Sequence, residues 1–292
     1  MAHKAGFVNI IGNPNVGKST LMNALVGQKL SIITHKAQTT RHRILGIVNG
    51  DDYQIVFSDT PGIIKPHYKL QEAMMKQVDS AFEDADILLL ITDISHDDTS
   101  EETITKIKNA GVPIIIVINK IDLSDQVKTE ARLEEWKKIM PNAEVIPVSA
   151  LMNFNTRAVL ERILEKLPEA PPFYEKDSLT DKSERFLASE IIREKILNNY
   201  QKEVPYSVEI SVDQFKEEEK IYKIIAFIFV TRESQKAILL GHEGKAIKRV
   251  GVQARKDLEA WLGKQVYLEL TVKVDKDWRN DDRELKRFGY DV

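Results

Sequence analysis

The eight residues Gly12-Asn13-Pro14-Asn15-Val16-Gly17-Lys18-Ser19 constrain this chain more than any other stretch. They read G-x-x-x-x-G-K-S. The apolar run Phe7-Val8-Asn9-Ile10-Ile11 precedes them, and Thr20-Leu21-Met22-Asn23-Ala24-Leu25, a good helix opening, follows. Strand, glycine loop and helix form the context in which this pattern binds phosphate. The glycines let the backbone curl so that several N–H groups point at one phosphate. The helix adds the positive end of its dipole. In such a loop Lys18 bridges the β- and γ-phosphates and the Ser19 hydroxyl binds Mg2+, so residues 12–20, ending at Thr20, are candidate nucleotide-binding residues.

The chain has 292 residues, 42% of them hydrophobic, enough for a sizeable core in about two domains. It has no cysteine. That excludes disulfides, thiolate catalysis and cysteine-based zinc sites, and fits a cytoplasmic protein. His35, His42, His67, His96 and His242 lack the i,i+4 pairing with an acid that would suggest zinc. Ala2-His3-Lys4 runs directly into the first strand without a signal-peptide pattern. The longest apolar runs, Ile87–Ile91 and Ile114–Ile118, fall far short of the ~18 residues of a membrane span. No transmembrane segment is expected, and peripheral membrane contact stays open. The net charge is −3, with the acidic excess in residues 1–181.

Apolar segments at 7–11, 53–58, 86–92, 113–118 and 144–148 read as buried strands. Segments 18–26, 69–83, 100–110, 128–139 and 155–166 read as helices. Strands without polar alternation, alternating with helices, predict a doubly wound α/β domain with a parallel sheet. Leu167-Pro168-Glu169-Ala170-Pro171-Pro172 stiffens and breaks the chain, so the first domain is placed at 1–170, a linker at 171–182 and a second, α+β domain at 183–292. In the latter, helices are expected at 183–199, 234–240 and 245–262. Strands are expected around Val208–Val212, at 221–230 and at 266–274, giving the order αββααβ. Ile247, Val250, Ala254, Leu258 and Trp261 share one face of the long helix, and Trp261 and Phe227 read as packing residues. Trp278-Arg279 and the Arg283–Tyr290 segment read as a C-terminal helix that packs or touches a ligand.

Three further motifs fall at strand ends, where such sheets bind ligands. Asp59-Thr60-Pro61-Gly62 offers an acid for Mg2+ and an amide for the γ-phosphate. Asn119-Lys120-Ile121-Asp122 selects a base. The Asp122 carboxylate can accept from guanine N1–H and N2, whereas adenine has an acceptor at N1 and no N2 amine, a mismatch worth several kcal/mol. Asn119 can tie the base loop to the phosphate loop, and the Lys120 stem can cover the ring. Ser149-Ala150-Leu151 can supply an N–H for guanine O6. Between the first two motifs, Thr39 or Thr40 can complete the Mg2+ shell, with Thr40 preferred. Lys18, Thr40 and Gly62 are the candidates for hydrolysis, and Ser19, Thr40 and Asp59 for the metal.

In this order the motifs resemble the signature of small GTP-binding proteins. GNPNVGKST, QTTRHR, DTPGI, NKID and SAL resemble, more closely, the Era family of ribosome-assembly GTPases. The resemblance implies a P-loop GTPase domain using GTP, GDP and Mg2+, followed by a type II KH domain. Ile63 follows Gly62 where Ras-type GTPases carry glutamine. Ile63 cannot orient a water, so slow intrinsic hydrolysis is expected, with the water placed by backbone groups or a partner. Asn15 matches a position that in related GTPases helps coordinate K+, which could supply charge that an arginine finger supplies elsewhere.

Gly241-His242-Glu243-Gly244 lies between two helices, after two strands and before a third. KH domains clamp about four nucleotides with a GXXG loop. Arg232, Lys236, Lys245, Lys248, Arg249, Arg255 and Lys256 surround it, opposed only by Glu233 and Glu243. Lys245, Lys248 and Arg249 open the long helix opposite its apolar face, where they can meet phosphates. The expected partner is single-stranded RNA. By resemblance it is the 3′ region of 16S ribosomal RNA, the process is 30S maturation, and the protein is a monomer. The alternative is a GTP-regulated signalling protein whose C-terminal domain binds protein or membrane.

Overall fold

Ile87–Ile91 and Ile114–Ile118, the longest apolar runs, lie side by side in the first of two sheets, where all but Ile114 are buried. The computed structural model describes residues 2–95 and 99–292; His96 is outside them. The chain divides into two compact units, one of residues 1–31, 40–65 and 74–181, the other of 32–39, 66–73 and 182–292.

The first unit holds strands β1 (Lys4–Ile11), β2 (Ile44–Asn49), β3 (Tyr53–Asp59), β4 (Ile87–Asp93), β5 (Ile114–Asn119) and β6 (Glu144–Pro147) in the order β2-β3-β1-β4-β5-β6. Its helices are α1 (Lys18–Val26), most of α2 (Lys69–Glu83), α3 (Glu101–Lys108), α4 (Gln126–Ile139) and α5 (Thr156–Lys166). Strands β3, β1, β4, β5 and β6 are parallel neighbours. The five strands expected from sequence form the parallel sheet; β2, a strand the sequence reading did not place, joins its edge antiparallel to β3, with Ile44 opposite Asp59. Gly46 interrupts its apolar pattern. A Cβ there would come within 2.8 Å of Val26 Cγ2, so the strand keeps glycine where α1 lies close. The helices cover the sheet with residues such as Ile107, Trp136 and Met140, which pack on Ile11, Leu88, Leu90, Ile116 and Ile118. Each such aliphatic side chain contributes about 1.5–3 kcal/mol on burial.

The second unit contains α6 (Glu184–Asn199), β7 (Glu209–Glu217), β8 (Ile221–Val230), α7 (Glu233–Leu240), α8 (Lys245–Leu262), β9 (Gln265–Val274) and α9 (Asp282–Arg287). The order αββααβ is the one expected. β7 pairs antiparallel and β9 parallel with β8. The alternation at Val208–Val212 stops at Asp213, yet β7 continues to Glu217. A bulge between Val212 and Gln214 shifts the register there, which hides the rest of the strand from a period-two pattern. Ala188, Ile192 and Ile196 of α6 and Val250, Ala254 and Leu258 of α8 pack on Ile224, Ala226 and Ile228. Trp261 departs from the expected face: it is 37% exposed, and its neighbour Leu262 packs on the core in the last turn of α8 instead. Phe227 is half-buried, with Lys273 Nζ 3.2 Å from its ring centre. α9 packs on its own unit, with Leu285 buried and Phe288 against Trp278 and Phe229.

Candidate functional site

Four loops gather at the carboxyl ends of β1, β3, β5 and β6, within the first unit. The loop after β1 leads into α1 through Gly17, at φ +100°. A Cβ on Gly17 would sit 2.2 Å from Asn119 Nδ2, so only glycine admits the close approach of the two loops. Asn119 is buried and uses both ends of its amide. Nδ2 donates to Val16 O at 2.8 Å, and Oδ1 accepts from Ala150 N at 3.0 Å. One side chain thus joins the phosphate loop, the N-K-x-D turn and the Ser149-Ala150-Leu151 turn.

Around the base position, Lys120 lies at φ +63° and its ammonium donates to Asn15 O at 2.6 Å and pairs with Asp93 at 2.6 Å. Its stem therefore runs from one loop to the other. Asp122 is exposed and accepts from the Ser149 hydroxyl, which holds the carboxylate beside the third loop. Ala150 is buried, while Leu151 is 77% exposed. An exposed, oriented carboxylate next to a backbone N–H is what an amidine-like base edge requires.

At the phosphate end, Lys18 Nζ donates to Gly12 O at 3.0 Å and Asn13 O at 2.9 Å. Burial lowers its pKa to about 8, against the opposing pull of Asp59. Asn13 and Pro14 are half-buried, whereas Asn15 is exposed at φ +64°. Thr60 donates its hydroxyl to Ile10 O at 2.7 Å, and Ile63 N donates to Gly12 O at 3.2 Å. Pro61 is buried and Gly62 lies against Pro14, where a Cβ would approach to 2.8 Å. The D-T-P-G turn is thereby laid against the phosphate loop.

Ser19 Oγ donates to Asp59 Oδ2 at 2.7 Å, and Thr40 Oγ1 lies 2.9 Å from Ser19 Oγ and 3.3 Å from Asp59 Oδ2. The other carboxylate oxygen, Asp59 Oδ1, is buried and has no hydrogen-bond partner within normal geometry among the described residues, with Ser31 the nearby hydroxyl. Burial raises the Asp59 pKa, partly offset by Ser19 and Lys18. Three hard oxygen donors with a bare buried carboxylate oxygen fit Mg2+. Of the two threonines, Thr40 is with Ser19 and Asp59. Thr39 belongs to the second unit, where its hydroxyl donates to Lys36 O at 2.6 Å.

Sequence reasoning missed Arg193. It is buried on α6, held by Glu190 at 2.7 Å through Nε, and its Nη2 donates to Thr39 O at 2.5 Å. Lys36 Nζ, in the same unit, donates to Tyr200 O at 2.7 Å. The signal available was weak: Arg193 follows Ile191-Ile192 but stands in the charged stretch Arg193-Glu194-Lys195, which reads equally as a solvated helix face.

In the second unit the Gly241–Gly244 turn joins α7 to α8. Gly241 and Gly244 are at φ +67° and +73°, with Glu243 at +53°. Lys245, Lys248 and Arg249 are exposed. Glu243 pairs with Lys245 at 2.8 Å and lies 3.7 Å from His242 Nδ1, so it partly neutralises the loop. Lys248 and Arg249 make no ion pair among the described residues. Ile238 is 49% exposed beside this turn.

The model of the 50S ribosome-binding GTPase family matches residues 7–120, and that of the KH domain matches residues 203–279. The chain is 43% identical over 290 residues to GTPase Era of Clostridium kluyveri, covering 98% of this chain and 99% of that one. It is 42% identical over 291 residues to GTPase Era of Staphylococcus haemolyticus, covering 99% and 97%. Among solved structures, Era in complex with MgGDPNP and nucleotides 1506-1542 of 16S ribosomal RNA matches with TM-score 0.94 and 38% identity over 99% of this chain and 100% of that one. A variant of Aquifex aeolicus Era bound to GDP.AlF4- matches with TM-score 0.95 and 40% identity, with the same coverage.

Proposed function

The chain belongs to the Era family of GTPases, and we propose that it hydrolyses GTP to GDP and phosphate and couples its nucleotide state to binding of single-stranded RNA. The RNA is the 3′ region of 16S ribosomal RNA, and the process is maturation of the 30S subunit. Residues 1–170 act as the GTPase domain and 183–292 as the RNA-binding domain of a cytoplasmic monomer. The observation that carries the reading is the bare Asp59 Oδ1 beside the Ser19 and Thr40 hydroxyls, below a phosphate loop tied by Asn119 to a guanine-reading carboxylate.

Ser19, Thr40 and Asp59 would hold Mg2+, which when bound would neutralise phosphate charge. Lys18 leaves the Gly12 and Asn13 carbonyls for the phosphates, and the amides of residues 13 and 15–20 surround them; Pro14 has no N–H to give. Gly62 offers its N–H to the γ-phosphate. Asp122 reads guanine, Lys120 covers its ring, and Ala150 and Leu151 supply backbone donors. Ile63 cannot position the attacking water, so turnover is slow without help. Asn15 would help hold a K+ ion, which would supply positive charge to the phosphates; its exposed place on the loop leaves its side chain accessible to one. Gly241, His242, Glu243 and Gly244 admit the RNA backbone, and Lys245, Lys248 and Arg249 meet its phosphates.

The test is the affinity for a single-stranded RNA from the 16S 3′ end, measured with a non-hydrolysable GTP analogue and with GDP. Tighter binding with the analogue is expected. Equal binding would remove the coupling, and no binding would remove the RNA assignment.

A further inference from the structure

At the end of α7 opposite the Gly241–Gly244 turn lies a cavity of about 460 Å3, contained in the second unit. Thr231 and Val274, where β8 and β9 end, form part of its wall. Three cations line it: Arg232, Lys276 and Arg279. None of the three makes an ion pair among the described residues, although the acids Glu233 and Asp277 also line the cavity. Asp277 is engaged elsewhere, accepting from Asn280 Nδ2 at 2.7 Å. Arg279 is oriented from behind, its guanidinium stacked 4.9 Å from the ring centre of Tyr68 in the same unit. Its Nε is buried and has no hydrogen-bond partner among the described residues.

Three cations against two carboxylates leave the lining with a net positive charge, which suits an anion. Guanidinium groups in particular match the fork of phosphate oxygens. The cavity lies one helix length from the Gly241–Gly244 turn: the eight residues of α7 span about 12 Å. A GXXG loop clamps about four nucleotides, so a strand leaving that loop along α7 would bring its next phosphates to the cavity.

We infer that Arg232, Lys276 and Arg279 form a second RNA-backbone site that takes a phosphodiester group outside the nucleotides clamped by the GXXG loop. The inference rests on the RNA-binding reading above and adds a place and a footprint to it. The site positions RNA without reading bases, since phosphate contacts carry no sequence information.

The experiment uses the full chain loaded with the GTP analogue and two RNAs of the same 3′ sequence, one of about four nucleotides and one about three times longer. Binding is followed by fluorescence anisotropy across a salt series for the wild type, Arg232→Ala/Lys276→Ala, Arg279→Ala, and Lys216→Ala as a charge control. Lys216 pairs with Glu218 and lies outside the cavity. The double variant is expected to bind the longer RNA about tenfold more weakly and the short RNA within about twofold of wild type. Its slope of log K against log salt should fall by roughly 1.4, about 0.7 for each single-strand phosphate that the protein no longer neutralises. GTP turnover without RNA should be unchanged.

Wild-type binding with no change in the variants overturns this inference and leaves the RNA assignment standing. Equal losses on both RNAs, or an equal loss in Lys216→Ala, reduce the cavity to general charge and overturn it too. Failure of the wild type to bind either RNA overturns the RNA assignment and this site with it. If the double variant loses affinity only for phosphatidylglycerol vesicles, the phosphate belongs to a lipid and the RNA site is refuted.

Discussion

Replacing Asn119 by alanine tests how the nucleotide site is built. The amide is buried and makes two hydrogen bonds, to Val16 O and from Ala150 N. Alanine removes both and leaves a buried carbonyl and a buried N–H without partners, each costing about 1–3 kcal/mol. Water entering the gap offsets part of that, so about 2–4 kcal/mol is expected. At 1.4 kcal/mol per tenfold, GDP affinity should fall by about 30-fold or more, because the phosphate loop and the base loop lose their shared strut. Asn119→Asp separates the two bonds: it keeps the acceptor for Ala150 N and turns an oxygen toward Val16 O, where repulsion replaces a donor. Titration with a fluorescent guanine nucleotide gives the affinity, and amide exchange at Ala150 in the nucleotide-free protein gives the local opening. Exchange should speed up in Asn119→Ala and change less in Asn119→Asp, while both bind nucleotide poorly. Unchanged Ala150 protection together with unchanged affinity in Asn119→Ala would refute the strut.

Asp122→Asn should move preference from GTP toward xanthosine triphosphate, read by competition binding, since xanthine presents an acceptor where guanine has its N2 amine; retained GTP preference would assign base selection elsewhere. Gly244→Asp should abolish RNA binding while GTP turnover persists. Both glycines are at positive φ, so either substitution strains the turn, but a Cβ at Gly244 meets nothing within 4 Å, whereas one at Gly241 also comes within 2.6 Å of Ala246 Cβ and would disturb α8. Turnover should be faster in K+ than in Na+, with the difference lost in Asn15→Ala, and equal rates in the two salts would restrict Asn15 to a structural part.

The nucleotide site was legible because its chemistry is local. Each motif is a few consecutive residues at the end of an apolar run, and the parallel sheet carries those ends to one side without further information. Strand β2 was not legible for the complementary reason. Ile44–Asn49 is an antiparallel edge whose pattern is broken by Gly46, and that glycine reflects contact with Val26 and not a turn. The far half of β7 was lost to the bulge after Val212, which moves every later side chain to the opposite face.

The charged residues of the second unit were the least legible, since one residue type serves opposite ends. Arg193 follows Ile191-Ile192, and Arg232 follows Thr231 just past the end of the apolar strand β8. Arg193 is buried with its charge met by Glu190 and its Nη2 on Thr39 O, so removing it would strand a buried carboxylate. Arg232 is exposed on a cavity with Lys276 and Arg279 and has no carboxylate partner among the described residues, so removing it lowers repulsion in the free protein. Composition counts the two alike. Substitution separates them by sign: loss of Arg193 should destabilise the protein alone, whereas loss of Arg232 should leave it as stable or more so and be felt only when an anion is bound.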